Sequence, residues 1–181
     1  KKAVPTVVGD GTTLYGEVTY STLMDDQTNP EDAIKWGLYS FKAQSGTDFT
    51  SKLIHKSICA NGGGTYANGK LYFTSYYEGM DGNLGYLYFC VLDLATMNMN
   101  QIALHSDYYT SIATDMTYDP VGNTIYSQAY PDDANTSTDW KYTLSTVNPA
   151  TGIASRIAQL DRMSMIACDE SGNLYGVRYN D

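Results

Sequence analysis

Residues 122–127, Gly-Asn-Thr-Ile-Tyr-Ser, are one of four copies of a short pattern that decides the fold. Each copy begins with Gly or Asn and reaches a Leu or Ile that is followed by Tyr; the other copies are residues 11–16, 68–73 and 172–176. The shared tyrosines are Tyr15, Tyr72, Tyr126 and Tyr175, which are separated by 57, 54 and 49 residues. Self-similarity at a period of this length indicates a repeat architecture.

Further strand-like segments accompany each copy. One runs into a turn, in residues 36–41, 87–96 and 142–152; the next strand follows in residues 50–56, 100–105 and 153–160. A short strand then precedes the next Gly/Asn turn, in residues 64–67, 112–118 and 165–168. Asp93 or Asn148 can cap the intervening turn, because short polar side chains bond their own backbone. Four strands in about 50 residues are typical of a propeller blade.

We therefore predict an all-β fold of β-propeller blades, each a four-stranded antiparallel unit of about 50 residues. The predicted units are residues 9–57, 58–106, 107–160 and 161–181, with three, four, four and two strands, so about 3.5 blades form one partial domain over residues 1–181. A propeller closes on itself, and open blades expose backbone and apolar surface. We expect this chain to belong to a larger ring, completed by further blades or by a homodimer through the open blade edges.

Composition and charge exclude some partners. The chain has 17 Tyr against 4 Phe and 2 Trp, and we interpret most of the tyrosines as fillers between blades, with hydroxyls that reach an edge or water. A net charge of −9 makes nucleic acid an improbable partner, because few cations are available to replace the counterions of a phosphate backbone. Membrane insertion is not expected, since no stretch approaches the roughly 20 apolar residues of a spanning helix.

The alternation of Gly-Asn-x-x-Tyr strands with Asp-Leu-Ala-Thr or Asn-Pro-Ala-Thr-Gly turns, at residues 93–96 and 148–152, resembles the propeller repeats of secreted and surface proteins of Bacteroidetes. More broadly it is similar to Kelch-like and quinoprotein-like blades. The likeness covers nearly the whole chain from Gly9 to Asp181. It implies a propeller architecture and an extracytoplasmic location, whether secreted, periplasmic or on the outer surface. Proteins of this type include adhesins and glycan-binding proteins.

Three long acidic loops are the candidate binding face. They join the second and third strands of the predicted blades in residues 21–35, 77–85 and 131–139, and the blade junction at residues 105–109 adds aromatic side chains. Function in such folds sits on loops grafted on the scaffold. The candidate ligand-binding residues are Asp25, Asp26, Glu78, Asp81, Tyr108, Tyr109, Asp132, Asp133 and Trp140. Carboxylates would accept hydrogen bonds from sugar hydroxyls or basic residues, while the aromatic rings supply flat apolar surface; the alternative is a solvated acidic rim.

No catalytic or metal-ligating residue is predicted. Three scattered cysteines and two histidines, His55 and His105, give no zinc spacing and no Ser-His-Asp or Cys-His constellation. Calcium is the one cofactor considered, because the oxygen-rich stretch 81–83 resembles part of a ligand set, but the full loop signature is absent.

These observations favour a noncatalytic extracytoplasmic binding or adhesion module that recognises a protein or a glycan. One alternative is a carbohydrate-active propeller enzyme, hydrolase or lyase, whose site needs further blades. The other is a structural spacer of a surface protein.

Overall fold

The structure is a computed structural model that describes residues 2–3, 7–10, 12–21, 34–44, 49–56, 63–77, 86–104, 113–129, 142–160 and 163–178. The described residues form β-strands joined by turns. Among them, no helix is long and apolar enough to cross a bilayer. The chain divides into two compact units, Lys1–Ala60 and Asn61–Asp181. The predicted all-β class is confirmed.

The first unit contains one antiparallel sheet, the first sheet. Its strands are β1 (Lys2–Ala3), β2 (Val7–Gly9), β3 (Leu14–Ser21), β4 (Ile34–Ala43) and β5 (Phe49–Lys56). The short β1 and β2 both pair with β3, so together they occupy the place of one strand beside it. The three strands predicted from the first repeat copy onward are β3, β4 and β5, whereas the short strands β1 and β2 that precede them were not predicted.

The second unit contains three sheets. The second sheet has β6 (Gly64–Ala67), β7 (Lys70–Tyr77), β8 (Tyr86–Asp93) and β9 (Met99–Leu104); the third has β10 (Ala113–Asp119), β11 (Thr124–Ala129), β12 (Tyr142–Val147) and β13 (Ala154–Leu160). The fourth sheet is the pair β14 (Met163–Cys168) and β15 (Leu174–Arg178). Neighbours in sequence are neighbours in each sheet and run antiparallel, as predicted.

Aspartate and asparagine side chains hold the turns that separate these strands. The Asp119 carboxylate accepts the amides of Val121 and Gly122 at 2.8 and 3.0 Å. Asp169 accepts the amides of Ser171 and Asn173 at 2.9 and 2.8 Å. The predicted caps behave in the same way, since Asp93 and Asn148 each accept two amides of their own turns. These side chains are therefore occupied by structural contacts.

The core of the second unit lies between the second and third sheets. Tyr72 and Phe89 of the second sheet pack with Met116, Ile125 and Val147 of the third in one buried cluster. Phe89 is completely buried, and its ring lies 6.1 Å from that of Tyr72. The predicted role of tyrosine as a filler between sheets is confirmed at Tyr72.

Gly152 brings a turn of the third sheet against Phe89. Its φ is +71°, and a Cβ at this position would lie 2.8 Å from the Phe89 Cβ. Gly69 has a similar φ of +76°, but a methyl group there would have no other atom within 4 Å, so it shares the backbone conformation without the crowding. Comparing substitutions at the two glycines therefore distinguishes the cost of backbone strain from the cost of overpacking.

We expect Gly152→Ala to lower the free energy of unfolding by about 2–4 kcal/mol, because a left-handed conformation and an overpacked core both oppose the added methyl group. Gly69→Ala should cost about 1 kcal/mol, since only the backbone term remains. Urea unfolding followed by tyrosine fluorescence measures both. Equal losses in the two variants would show that Phe89 gives way to the methyl group.

Candidate functional site

All nine residues predicted to bind ligand lie outside the described residues. The strands that precede their loops are described. Residues 22–33 follow β3, residues 78–85 follow β7, and residues 130–141 follow β11. We call the first strand of each sheet its inner strand. The strand that precedes a loop ends beside the start of the inner strand, as the pairing of Ala129 at the end of β11 with Ala113 at the start of β10 illustrates. We call this the loop end of the sheet.

The loop ends of the third and fourth sheets lie on the same side. Asp115 on β10 accepts the Ile166 amide of β14 at 2.7 Å, and Thr117 accepts the Cys168 amide at 2.9 Å. A step of two residues along β10 thus matches a step of two residues along β14 in the same direction. The two inner strands therefore run parallel, side by side, without a shared backbone ladder.

The second sheet joins this row. Gly63, which precedes β6, lies so close to Asp115 that a Cβ on the glycine would overlap the Asp115 Cα. Further along, the Asn68 side chain donates to the Tyr118 hydroxyl at 3.2 Å. From the first contact to the second, the residue number increases along both β6 and β10. The two strands therefore run in the same direction. The segments that carry the predicted acidic residues of the second and third sheets therefore leave from strand ends on one side of the second unit.

Asp115 is the polar centre of this row. An irregularity in the pairing of β10 with β11 lies between Ala113 and Asp115, and β14 has the corresponding one between Met163 and Met165. Such bulges re-aim side chains at the rim of a sheet. The Asp115 carboxylate accepts the Met116 amide on one oxygen, at 2.9 Å, and the Ile166 amide on the other.

Burial raises the pKa of Asp115 above its usual value, although the two amides that donate to the carboxylate act in the opposite direction. The cross-strand neighbour of Asp115 is polar and buried, and so is the equivalent residue of the second sheet. Gln128 pairs with Asp115 across the sheet and is fully buried. Thr74, the residue of β7 at the repeat position of Gln128, is also fully buried, and its hydroxyl has no hydrogen-bond partner in the described part of the chain.

The hydrogen bonds of Asp115 indicate that this carboxylate positions strands and does not serve as an acid or base. Both Asp115 oxygens are engaged by backbone amides, so the carboxylate ties the third sheet to the fourth beneath the loop end. Cys90 is fully buried, and burial raises the pKa of its thiol to about 12, which makes it a small apolar side chain and not a nucleophile. Over the described ranges, no three His, Cys, Asp or Glu residues are grouped to hold a metal ion. The calcium prediction at residues 81–83 lies outside those ranges.

Asp115 was not predicted from the sequence, because candidate carboxylates were sought in the loops. Residues 112–118 were assigned to an inner strand, and a charged residue at the interior of such a strand was the available signal. Lone carboxylates are rarely buried unless they are paired or hydrogen-bonded.

Comparison with solved structures clarifies the architecture. One similar structure is an oligogalacturonate lyase in complex with manganese, a β-propeller, with a TM-score of 0.54 and 13% sequence identity. The chain is built of β-propeller blades. The match covers 97% of this chain and 46% of the lyase, so the chain spans less than half the length of that propeller. At this identity the likeness shows the fold alone. No protein-family model matches the chain, and no curated protein sequence matches it.

We predict that Asp115→Ala exposes the Ile166 amide to exchange with solvent and lowers the free energy of unfolding by about 1–3 kcal/mol, because a part-buried donor loses its acceptor. Thr117→Val should act in the same way on the Cys168 amide. Hydrogen exchange followed by NMR distinguishes the two amides. If each variant accelerates the exchange of both amides equally, the two sheets separate as a unit. That result would show that each contact does not protect only its own amide.

The raised pKa of Asp115 gives a second expectation. A carboxyl whose folded pKa lies above its unfolded value, near 3.8, binds a proton more tightly in the folded state, so stability falls as the pH rises through that interval. Asn cannot ionise. The stability of Asp115→Asn relative to the unsubstituted protein should therefore increase from about pH 3 to about pH 7, measured by urea unfolding. A relative decrease would mean that the amide donors outweigh burial.

Proposed function

We propose that this chain is a noncatalytic binding module that recognises a protein or a glycan at the loop end of its blades. One observation carries the proposal: the inner strands of the second unit run side by side in the same direction. Acidic and aromatic residues that are far apart in sequence therefore belong to segments that leave the sheets on one side. Function in repeat folds is concentrated on such connections.

The charge of the chain restricts the ligand. With 20 acidic and 11 basic residues, the chain repels polyanions and attracts cations. A neutral glycan, held by hydrogen bonds to carboxylates and by stacking on rings such as Tyr108 and Trp140, fits this surface. A basic protein segment fits it through charge. We place the module outside the cytoplasm, as an adhesion or binding part of a bacterial surface protein, in keeping with the resemblance of its repeats.

A carbohydrate-active enzyme is the second candidate, because the similar structure belongs to a lyase. The substrate named for that protein is an oligogalacturonate, which is a polyanion. The net charge of −9 opposes such a substrate here. An enzyme on this scaffold would act on a neutral glycan and would need further blades to complete its site.

Binding to an array of neutral and acidic glycans, and to polylysine, tests the proposal. Replacing Asp132 and Asp133 by Asn and Tyr108 by Ala should weaken the binding of a captured probe at least about tenfold, since such residues act as central contacts. Polylysine binding should also weaken as salt rises.

Glu170→Gln is the matched control. Glu170 is exposed in the turn between β14 and β15, at the end of the fourth sheet opposite the loop end. This change removes a negative charge and should leave binding unaltered. Equal binding by the loop variant and the control would reject the proposed face. Capture of no probe favours a structural spacer, whereas shortening of a neutral glycan during incubation favours the enzyme.

A further inference from the structure

The turn between β6 and β7 consists of Asn68 and Gly69. Ala67 pairs with Lys70 across it, so the hairpin has a two-residue loop. Both turn residues have positive φ angles, +50° for Asn68 and +76° for Gly69. Asn-Gly is a preferred sequence for such a turn, because both residues tolerate the left-handed conformation. The Asn68 side chain is exposed to solvent.

Asn68 also connects the second sheet to the third. Its side-chain nitrogen donates to the Tyr118 hydroxyl at 3.2 Å, and that hydroxyl donates to the Oδ1 of Asn123 at 2.8 Å. Tyr118 is half-buried and packs against the buried cluster between the two sheets. Asn123 lies in the turn between β10 and β11. The three side chains therefore form one chain of hydrogen bonds from the second sheet to the third.

An asparagine that precedes a glycine can react with its own backbone. The amide nitrogen of Gly69 attacks the Asn68 Cγ and forms a C–N bond, its proton passes to the side-chain nitrogen, and that nitrogen leaves as ammonia. The five-membered imide then takes up one water molecule and opens to an aspartyl or isoaspartyl residue. Glycine leaves the attacking nitrogen unhindered because it has no Cβ. At Gly69 even an added Cβ would have no other atom within 4 Å, so the turn is open around it.

We propose that Asn68 is a site of deamidation in the folded protein and that its contact with Tyr118 sets the rate. The side chain is exposed, so water reaches the imide, and the next residue offers no steric barrier. Two contacts oppose the reaction. The Tyr118 hydroxyl holds the nitrogen that must leave, and the Gly69 carbonyl accepts the Leu94 amide at 3.0 Å, which holds the turn in place.

Deamidation changes the junction between the second and third sheets. A carboxylate at residue 68 has no hydrogen to donate to Tyr118, so it competes with Asn123 for the hydroxyl proton. An isoaspartyl product also places an additional carbon atom in the backbone of a two-residue turn. Either product adds a negative charge to a chain whose net charge is already −9. The modification therefore replaces a contact between the sheets by competition for one proton.

Peptide mapping by mass spectrometry during incubation at neutral pH is the experiment. The tryptic peptide 57–70 contains residue 68 and a second Asn-Gly step at Asn61, which lies outside the described residues, so the peptide is fragmented to separate the two. We expect conversion of the amide to the acid at residue 68 in the folded protein. Tyr118→Phe should accelerate it about two- to tenfold, because a hydrogen bond worth about 1 kcal/mol no longer holds the leaving nitrogen.

Tyr175→Phe is the matched control. It removes a tyrosine hydroxyl that donates to Asp169 in another turn, so the rate at residue 68 should not change. In concentrated urea, the unsubstituted chain and Tyr118→Phe should react at the same rate, since the contact is absent in both. No conversion at residue 68 in the folded protein overturns the site. Equal rates in the folded unsubstituted protein and folded Tyr118→Phe overturn the role of Tyr118, and so does an equal acceleration by Tyr175→Phe.

Discussion

The inner strands of the second unit approach each other closely at Asp115. A methyl group on Gly63 would overlap the Asp115 backbone, and the Asp115 carboxylate accepts the Ile166 amide at 2.7 Å. The edge of a strand normally seeks another backbone. Here side chains of the third sheet accept the Ile166 and Cys168 amides of β14. This contact fixes both the spacing and the common direction of the inner strands, and the position of the loop ends follows from it.

Tyrosine serves several purposes at equivalent positions. Tyr72 fills the space between two sheets, whereas Tyr175 projects from the fourth sheet and donates its hydroxyl to Asp169 at 3.0 Å. The same repeat position therefore holds a core tyrosine in the second sheet and an exposed tyrosine in the fourth. The apolar body and polar tip of tyrosine suit both situations. Its abundance is compatible with a chain whose blades differ in how completely they are covered.

Much of the architecture was predictable from the sequence because the turns contain residues that form them through their own side chains or backbone. Asp93, Asn148 and the Gly-Asn pairs bond or bend their own backbone, so the strand boundaries are local properties. The strand beside β3 was missed because Lys2–Ala3 and Val7–Gly9 are too short to show a period. Asp115 was missed for another reason: its partner Ile166 lies 51 residues away, and no local pattern reports such a contact. The nine loop residues stay a prediction.

Gly63, Asp115 and Met165 occupy the same position of three successive repeats, yet their side chains have nothing in common. Each side chain suits the strand that packs against it. Glycine is needed where the next strand presses on the backbone, and a carboxylate is needed where the next strand presents an amide. The repeats are consequently not interchangeable units: exchanging two of them would place a side chain against a backbone that has no room for it. The contacts between neighbouring sheets therefore depend on the order of the repeats.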